Sequence, residues 1–260
     1  MILYDHPLSS YSQKVKIALR EKGVAFERML PEDFGTGQRD TAFATANPRA
    51  EVPVLLTEDG SAVFESTVIM EYIEERWPRP PMLPPGPEAR ARARITEDVC
   101  DTQYEAVNWG FGELLWFRRA EGELAATLRA AAVRDTATLQ DWLTGRLGAA
   151  DWFGGDRFGW ADAAAAPMVN RSVHYGLGPA PGTALAAWHT RLRERPSVAE
   201  TFTEFDGATE RMAAAADHYR TGGRRREYRD HRFEWMIRSG GIDVVLAGLR
   251  ESTIRFSWPG

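Results

Sequence analysis

Two adjacent serines stand where the first apolar segment of the chain gives way to a helical pattern. Ser10 and Gln13 have the spacing of a capping box, in which the hydroxyl accepts from a free helical N–H and the glutamine reaches back. Ser9 is not needed for that cap, so its hydroxyl can donate to an anion at the positive end of the helix dipole. Neither a Gly-x-Ser-x-Gly motif nor a partner histidine accompanies Ser9, which argues against hydrolase chemistry.

Two further segments carry groups suited to a peptide-like ligand. Pro53 begins an apolar strand, and if its bond to Val52 is cis, the backbone of Val52 faces outward and can pair with an extended peptide. Otherwise Pro53 only starts an edge strand. Glu65 and Ser66 open a helix, where Ser66 either caps the helix or binds an α-carboxylate while Glu65 pairs an α-ammonium.

The periodicity of the apolar residues predicts a small α/β unit that positions these groups. The predicted elements are strands near 2–5 and 24–30, a helix near 11–22, a hairpin of strands near 53–57 and 62–64, and a helix over 66–76.

Segment 77–87, WPRPPMLPPGP, divides the chain, because six prolines in eleven positions exclude a helix. We predict an α/β domain over 1–77, a proline-rich linker over 78–87, an all-α domain over 88–205 and a C-terminal extension over 206–260. The extension contains RRREYRDHR, whose interleaved acids favour a self-paired helix face over phosphate binding. Its apolar residues predict packing on the helical domain, and coverage of the interdomain cleft by the packed extension is left open.

The composition excludes several classes of protein. With 32 Lys and Arg against 37 Asp and Glu, the net charge of -5 does not favour nucleic acid as a partner. No signal peptide and no run of eighteen apolar residues is present, so we expect a cytoplasmic protein without a membrane partner. Cys100 is the only cysteine and permits neither an internal disulfide nor a thiolate metal cage, so no metal is expected. We expect Cys100 to be a buried, small apolar residue.

Three motifs in this order and spacing resemble the serine-type glutathione S-transferase superfamily, with tau-like and zeta-like members. They are SSYSQKVKIAL at 9–19, NPRAEVPVL at 47–55 and FESTVIMEYIEE at 64–75, and they are supported by FGWADAAAAP at 158–167 and LAAWHTRLRERPS at 185–197. The resemblance covers residues 1 to about 205. It implies a thioredoxin-like N-terminal domain, an all-α C-terminal domain, glutathione as co-substrate and a homodimer.

The resemblance also implies which residues bind glutathione. Ser9 would donate to the glutathione sulfur, Val52 would pair its backbone with the cysteinyl unit, and Pro53 would be cis. Glu65 with Ser66 would hold the γ-glutamyl end. The other predicted glutathione contacts are Ser10, Gln38, Arg39 and Glu51.

Two residues depart from the family pattern. Glu51 stands where a lysine or glutamine is common, and Arg49 is expected to compensate for this inverted charge. Gly159 replaces the usual Ser or Thr cap three residues before Asp162, which we expect to weaken that helix start by only roughly a few tenths of a kcal/mol.

The second substrate is expected between the two domains. Tyr11 and a stripe at fourfold spacing are the predicted substrate contacts, the stripe being Tyr104, Asn108, Gly112 and Trp116. If these residues line a pocket, it favours an aromatic or other apolar electrophile. The equally open alternative is that the aromatic residues belong to the core.

The implied chemistry is activation of a thiol. A free thiol with a pKa of about 8.5 is only slightly ionised at neutral pH, and a hydrogen bond from Ser9 would favour the nucleophilic thiolate. We therefore predict a glutathione-dependent transferase, with detoxification as its role. The alternatives are a glutathione-dependent lyase or isomerase, which would share every motif, and a non-catalytic binding protein with the same fold.

Overall fold

The computed structural model describes residues 1–32, 34, 41–210, 212, 233 and 242–250. The N-terminal half begins β-α-β and ends β-β-α, as the periodicity predicts. Its elements are β1 (Ile2–Tyr4), α1 (Ser10–Glu21), β2 (Glu27–Met29), a short helix α2 (Ala42–Ala46), β3 (Val54–Leu56), β4 (Ala62–Phe64) and α3 (Ser66–Arg76).

The strands form one mixed sheet in the order β2-β1-β3-β4. β1 is parallel to β2 and antiparallel to β3, and β3 pairs with β4 as the predicted hairpin. The core between this sheet and its helices is fully buried, because α1 and α3 each place an apolar face on it. Its central members are Leu3, Val15, Leu19, Leu55 and Ile69.

After residues 77–86, the described chain up to Glu210 is helical apart from its connecting loops. The helices are α4 (Pro87–Val99), a π-helical segment (Cys100–Tyr104), α5 (Glu105–Leu115), α6 (Gly122–Leu147), α7 (Trp160–His174), α8 (Ala184–Arg193) and α9 (Pro196–Thr209). None of the helices in the described part of the chain is long and apolar enough to cross a membrane.

Cys100 opens the π-helical segment and is completely buried, so the prediction of a small apolar residue is confirmed. Burial raises the pKa of its thiol far above the ordinary value, which keeps the sulfur protonated and unreactive.

The interface between α1 and the helical half is built from buried charge pairs that the sequence analysis did not anticipate. The side chains of Lys14 and Lys16 have no exposed area. Lys14 pairs with Glu97 at 2.6 Å, and Lys16 pairs with Glu204 at 2.6 Å. A buried ammonium is costly unless it is paired, so these carboxylates fix how α1 sits against α4 and α9.

The predicted boundary after residue 205 falls inside α9, which continues to Thr209 and buries Phe205 and Ala208. Within the extension the structure describes one further helix, α10 (Ile242–Arg250), whose Ile242, Leu246 and Leu249 are exposed. The RRREYRDHR segment lies outside the described residues. Packing of the extension on the helical half therefore stays a prediction.

The start of α7 shows why residue 159 is a glycine. A Cβ atom built there would lie 2.5 Å from the backbone oxygen of Met82, which also accepts from the N–H of Trp160 at 2.9 Å. The Asp162 carboxylate replaces a cap, because it accepts from the N–H groups of Gly159 at 3.0 Å and Phe153 at 3.1 Å and from the Trp188 indole at 2.8 Å. The expectation that Gly159 only weakens the helix start is therefore wrong, since a Ser or Thr would collide with the backbone.

Gly159→Ala is expected to lower the free energy of unfolding by about 1–3 kcal/mol, because the added methyl group must displace backbone. Gly145→Ala is the matched control: this glycine lies within α6 with open space around it, so the change should stabilise by about 0.5–1 kcal/mol. Urea denaturation of both variants measures the difference. Equal stability of Gly159→Ala and the parent chain would contradict this account.

Candidate functional site

Strand pairing brings the three sequence motifs to one edge of the sheet. Tyr4 at the end of β1 pairs with Val54 at the start of β3, and Val54 pairs in turn with Phe64 at the end of β4. Three segments of the chain therefore meet at this edge. They are the loop from β1 to Ser9 and α1, residues 52–53 before β3, and the connection from β4 to α3. The N-termini of α1 and α3 both open at this edge, and neither helix has an acidic residue in its first turn. The N-terminus of α1 is therefore suited to an anionic ligand, whereas the N-cap residue of α3, Glu65, is itself acidic.

Ser9, not Ser10, is the N-cap of α1. The Oγ of Ser9 accepts from the N–H of Ser12 at 3.2 Å, whereas Ser10 is the first helical residue and is completely buried. The predicted capping box is wrong, because the Gln13 amide donates to the Pro7 carbonyl at 2.8 Å instead of reaching back to Ser10. A fully buried side chain cannot touch a ligand, so the prediction that Ser10 contacts glutathione is also corrected.

The cap leaves the Ser9 hydroxyl able to do chemistry. The side chain is only partly buried, and its oxygen accepts from the helix through a lone pair. A hydroxyl has one hydrogen to donate besides its two acceptor positions, so the Ser9 proton remains available to a ligand at the helix N-terminus. Ser9 alone thus both caps α1 and keeps a hydroxyl proton for a ligand, whereas the sequence pattern assigns the cap to Ser10.

The segment before β3 forms a compact turn around a buried asparagine. The Asn47 amide donates to the Glu51 carbonyl at 3.0 Å and its oxygen accepts from the Arg49 N–H at 3.0 Å. The Val52–Pro53 bond is cis, as expected, and Val52 is only partly buried.

The start of α3 adopts an uncommon backbone geometry. Glu65 occupies the N-cap position with φ 68°, in the left-handed region that side-chain-bearing residues rarely adopt. Ser66 is the first helical residue and is nearly buried, so it does not cap α3. Residues held in such conformations cluster at ligand sites. Glu65 is half-exposed and therefore reachable by a ligand.

Arg49 joins the two segments electrostatically. Its guanidinium lies 2.7 Å from the Glu65 carboxylate and 3.4 Å from that of Glu51. The expected compensation of Glu51 by Arg49 is confirmed, and the contact with Glu65 places the turn at 47–51 beside the N-terminus of α3. Gln38 and Arg39, the other predicted contacts, lie outside the described residues.

Two members of the predicted stripe of substrate contacts lie in the interior of the helical half. Tyr104 has no exposed area and its hydroxyl accepts from Gln140 at 2.9 Å. Asn108 is buried too and is bonded to the Met168 carbonyl at 3.0 Å and the Ser172 hydroxyl at 2.8 Å. The prediction that Tyr104 and Asn108 contact the substrate is therefore corrected, because both face α6 or α7 inside the bundle.

Trp116 and Tyr11 lie nearer to Ser9. Trp116 packs with Leu8, Phe205 and Ala208, which places its indole beside the residue before Ser9. The Tyr11 hydroxyl donates to the carbonyl of Asp101 at 2.7 Å.

Gly112 allows a close approach rather than a ligand contact. A Cβ atom at Gly112 would lie 2.9 Å from the Tyr175 hydroxyl. The ring of Tyr175 in turn lies 5.1 Å from that of Trp116.

Charged residues beneath Tyr11 were missed because each looks like an ordinary helix residue in the sequence. Lys14 faces two carboxylates, those of Glu97 and Asp101, so one cation serves two anions. Burial and, to a smaller extent, the Glu97 charge raise the pKa of Asp101 to about 6, although the Lys14 ammonium acts in the opposite direction. Burial is also the main cause that raises the pKa of Tyr11, which keeps the phenol neutral.

His174 and Arg171 also lie beside Trp116. Their side chains lie near its indole, with the His174 ring centroid at 6.0 Å and the Arg171 guanidinium carbon at 5.6 Å. Burial lowers the pKa of His174 below its ordinary value, so its imidazole is neutral at neutral pH. No motif signals either residue, because both lie beyond the FGWADAAAAP segment, near the C-terminal end of α7.

A four-stranded mixed sheet with α1 and α3, followed by an all-α bundle, is the thioredoxin-like domain and helical domain of the glutathione transferase fold. Residues 8–76 match the glutathione S-transferase N-terminal domain, and residues 114–196 match the glutathione S-transferase C-terminal domain. The chain belongs to the glutathione S-transferase family.

Its relatives carry several names. A probable glutathione S-transferase of Nicotiana tabacum is 30% identical over 78% of this chain and 90% of its own. A stringent starvation protein A homolog of Coxiella burnetii is 30% identical over 78% of this chain and 92% of its own. A maleylacetoacetate isomerase of Pseudomonas aeruginosa is 29% identical over 79% and 93% of the two chains.

A rice glutathione S-transferase, solved in complex with glutathione, is similar in structure. It is 30% identical with a TM-score of 0.67, and the match covers 84% of this chain and 97% of the rice chain.

Because Ser9 caps α1, the two serines should differ in their contribution to stability. Ser9→Ala is expected to lower the free energy of unfolding by about 1 kcal/mol, because the N–H of Ser12 loses its acceptor. Ser10→Ala is expected to be neutral or slightly stabilising, since the Ser10 Oγ is buried without a hydrogen-bond partner among the described residues. Chemical denaturation of the two variants measures this order, and a larger loss in Ser10→Ala would restore the capping box.

Proposed function

We propose that this protein is a glutathione-dependent transferase in which Ser9 stabilises the glutathione thiolate for attack on an apolar electrophile. The observation that carries the proposal is the position of Ser9, a half-buried N-cap whose hydroxyl proton is free at the edge of the sheet. The family membership of the chain supports the choice of glutathione as the thiol.

Thiolate stabilisation follows from two local features. A hydrogen bond from Ser9 favours the charged form of a sulfur, and the N-terminus of α1 adds a favourable dipole. Each unit by which the pKa of the thiol falls requires about 1.4 kcal/mol of preferential thiolate stabilisation. From a starting pKa of about 8.5, a decrease of two makes the thiolate dominant at neutral pH.

The peptide portion of glutathione has matching groups along the same edge. We assign the backbone of Val52 to the cysteinyl unit and Glu65 with the N-terminus of α3 to the γ-glutamyl end, where an ammonium and a carboxylate must both be held. Arg49 lies between these groups and pairs with the carboxylates of both Glu51 and Glu65.

The electrophile would lie against Trp116. Apart from the Arg171 guanidinium, the residues around this indole are aromatic or aliphatic, with a neutral imidazole from His174, and they include Leu8 and Phe205. These surroundings of Trp116 favour an apolar and preferably aromatic substrate.

A glutathione-dependent isomerase is the second candidate, favoured by the likeness to the maleylacetoacetate isomerase of Pseudomonas aeruginosa. Isomerisation would use the same thiolate but would return glutathione unchanged. A substrate screen that follows consumption of the thiol separates the two reactions.

We expect the protein to be retained on immobilised glutathione and the bound thiol to titrate with a pKa below its free value of about 8.5. In Ser9→Ala, turnover should fall at least about tenfold while glutathione affinity stays within about twofold, because the peptide is held elsewhere. Ultraviolet absorbance of the thiolate and steady-state kinetics measure both. Ser10→Ala is the control and should keep both properties.

Failure to bind glutathione, or a bound thiol with the pKa of the free one, would instead support the non-catalytic binding protein.

We also propose a homodimer that uses α3 and α4. These helices are joined by the Arg94–Glu71 ion pair at 2.7 Å and expose Val68 and Ile95, which are 52% and 50% exposed. Isolated apolar residues are common on surfaces, but two on adjacent helices offer the centre of an interface.

Light scattering should give twice the chain mass, and Val68→Glu should lower the measured mass towards that of the monomer. Leu124→Glu on α6, where Leu124 is 60% exposed, is the control.

A further inference from the structure

The peptide group between Leu8 and Ser9 is held at both ends. Its N–H, from Ser9, donates to the His6 carbonyl at 2.8 Å. Its carbonyl, from Leu8, accepts from Nη2 of Arg171 on α7. Because a peptide group is planar, fixing both ends fixes the orientation of the bond that leads into the Ser9 side chain.

The two ends are held from different halves of the molecule. His6 belongs to the same loop as Ser9, whereas Arg171 belongs to the helical half. Other polar contacts in this loop, from the Gln13 amide to the Pro7 carbonyl and from the Leu8 N–H to the His6 ring, also come from the N-terminal half. Arg171 therefore gives this loop a polar contact with the helical half, beside the apolar packing of Leu8 on Phe205 and Ala208.

Arg171 itself has little freedom. It is 5% exposed, and its Nη1 donates to the Glu105 carboxylate of α5 at 2.9 Å. The guanidinium is a planar fork, so contacts at two nitrogens fix both its position and its plane. The guanidinium carbon of Arg171 lies 5.6 Å from the centre of the Trp116 ring, so the same group contacts the side chain that we propose faces the electrophile.

A buried ion pair of this kind is a poor source of stability, because its desolvation offsets much of its attraction. Its effect is geometric: one rigid group joins Glu105, Trp116 and the carbonyl before Ser9.

We propose that Arg171 is a positioning residue for the thiol chemistry, acting through the Leu8–Ser9 peptide to aim the Ser9 hydroxyl. This inference rests on the proposed role of Ser9. The contacts that the structure gives Arg171 are with Leu8, Glu105 and Trp116, and none of these is a residue assigned to the peptide part of glutathione. Its loss should therefore affect the thiolate and leave glutathione binding nearly intact.

Arg171→Met removes the contact with the Leu8 carbonyl and keeps an apolar side chain against Trp116. We expect the pKa of the bound glutathione thiol to rise by about 1 and kcat to fall about tenfold, with KM for glutathione within about twofold. The double variant with Ser9→Ala is the decisive measurement. If Arg171 acts through Ser9, the double variant should match Ser9→Ala alone in both thiol pKa and kcat.

Arg195→Gln is the matched control. Arg195 also joins the helical half to α1, through Glu21 at 2.6 Å, but at the end of the helix remote from Ser9. It should lower the melting temperature while leaving the thiol pKa and kcat unchanged. A general loosening of the interface would instead move the thiol pKa in both variants.

The outcomes distinguish failure of the Arg171 proposal from failure of the proposed role of Ser9. If Ser9→Ala leaves the thiol pKa unchanged, the proposed function fails. If Ser9→Ala raises it but Arg171→Met does not, or if the two effects add fully, the positioning role of Arg171 is overturned and any effect is one of charge or stability. Should Arg171→Met not fold, Arg171→Lys replaces it, because one ammonium cannot reproduce the fork and should shift the thiol pKa in the same direction.

Discussion

The arrangement of the candidate site depends on the antiparallel register in which Tyr4, Val54 and Phe64 lie side by side. This register makes the end of one strand, the start of the next and the end of the last coincide in space, although they are separated by up to sixty residues of chain. A slip of one residue would turn the apolar side chains of β3 away from the core, so burial of Leu55 protects the geometry of the edge. The same strand register therefore fixes both the packing of the core and the positions of the polar groups at this edge.

Helix α1 carries this constraint into the second half of the molecule. One face of the helix completes the core of the sheet, and the other presents lysines to carboxylates on α4 and α9. Such pairs contribute little net stability but tolerate few alternative arrangements, because every displaced partner leaves a buried charge. The N-terminus of the helix, where Ser9 lies, is thereby fixed relative to both halves at once.

Much of this architecture could be predicted from the sequence. The strands, α1 and α3 follow from apolar periodicity, and the residues around Val52 and Glu65 form a local pattern. The sequence could not decide between Ser9 and Ser10 as the cap, because that choice depends on loop contacts made by distant side chains. It could not place Tyr104 either, because periodicity tells which residues share a face of a helix and not what that face meets. Arg171 lies on a helix buried on nearly all sides, so no polar stripe distinguishes it.

The carboxylate of Asp162 connects three segments that are otherwise separate: the loop at Phe153, the first turn of α7 and the indole of Trp188 on α8. The ends of helices normally fray, since their terminal N–H groups exchange readily with solvent. In α7 the first turn can open only if the loop and α8 give up their bonds to the same side chain. The beginning of this helix is therefore coupled to the cooperative core, and we expect its amide hydrogens to be better protected from exchange than those at a helix end that lacks such bonds.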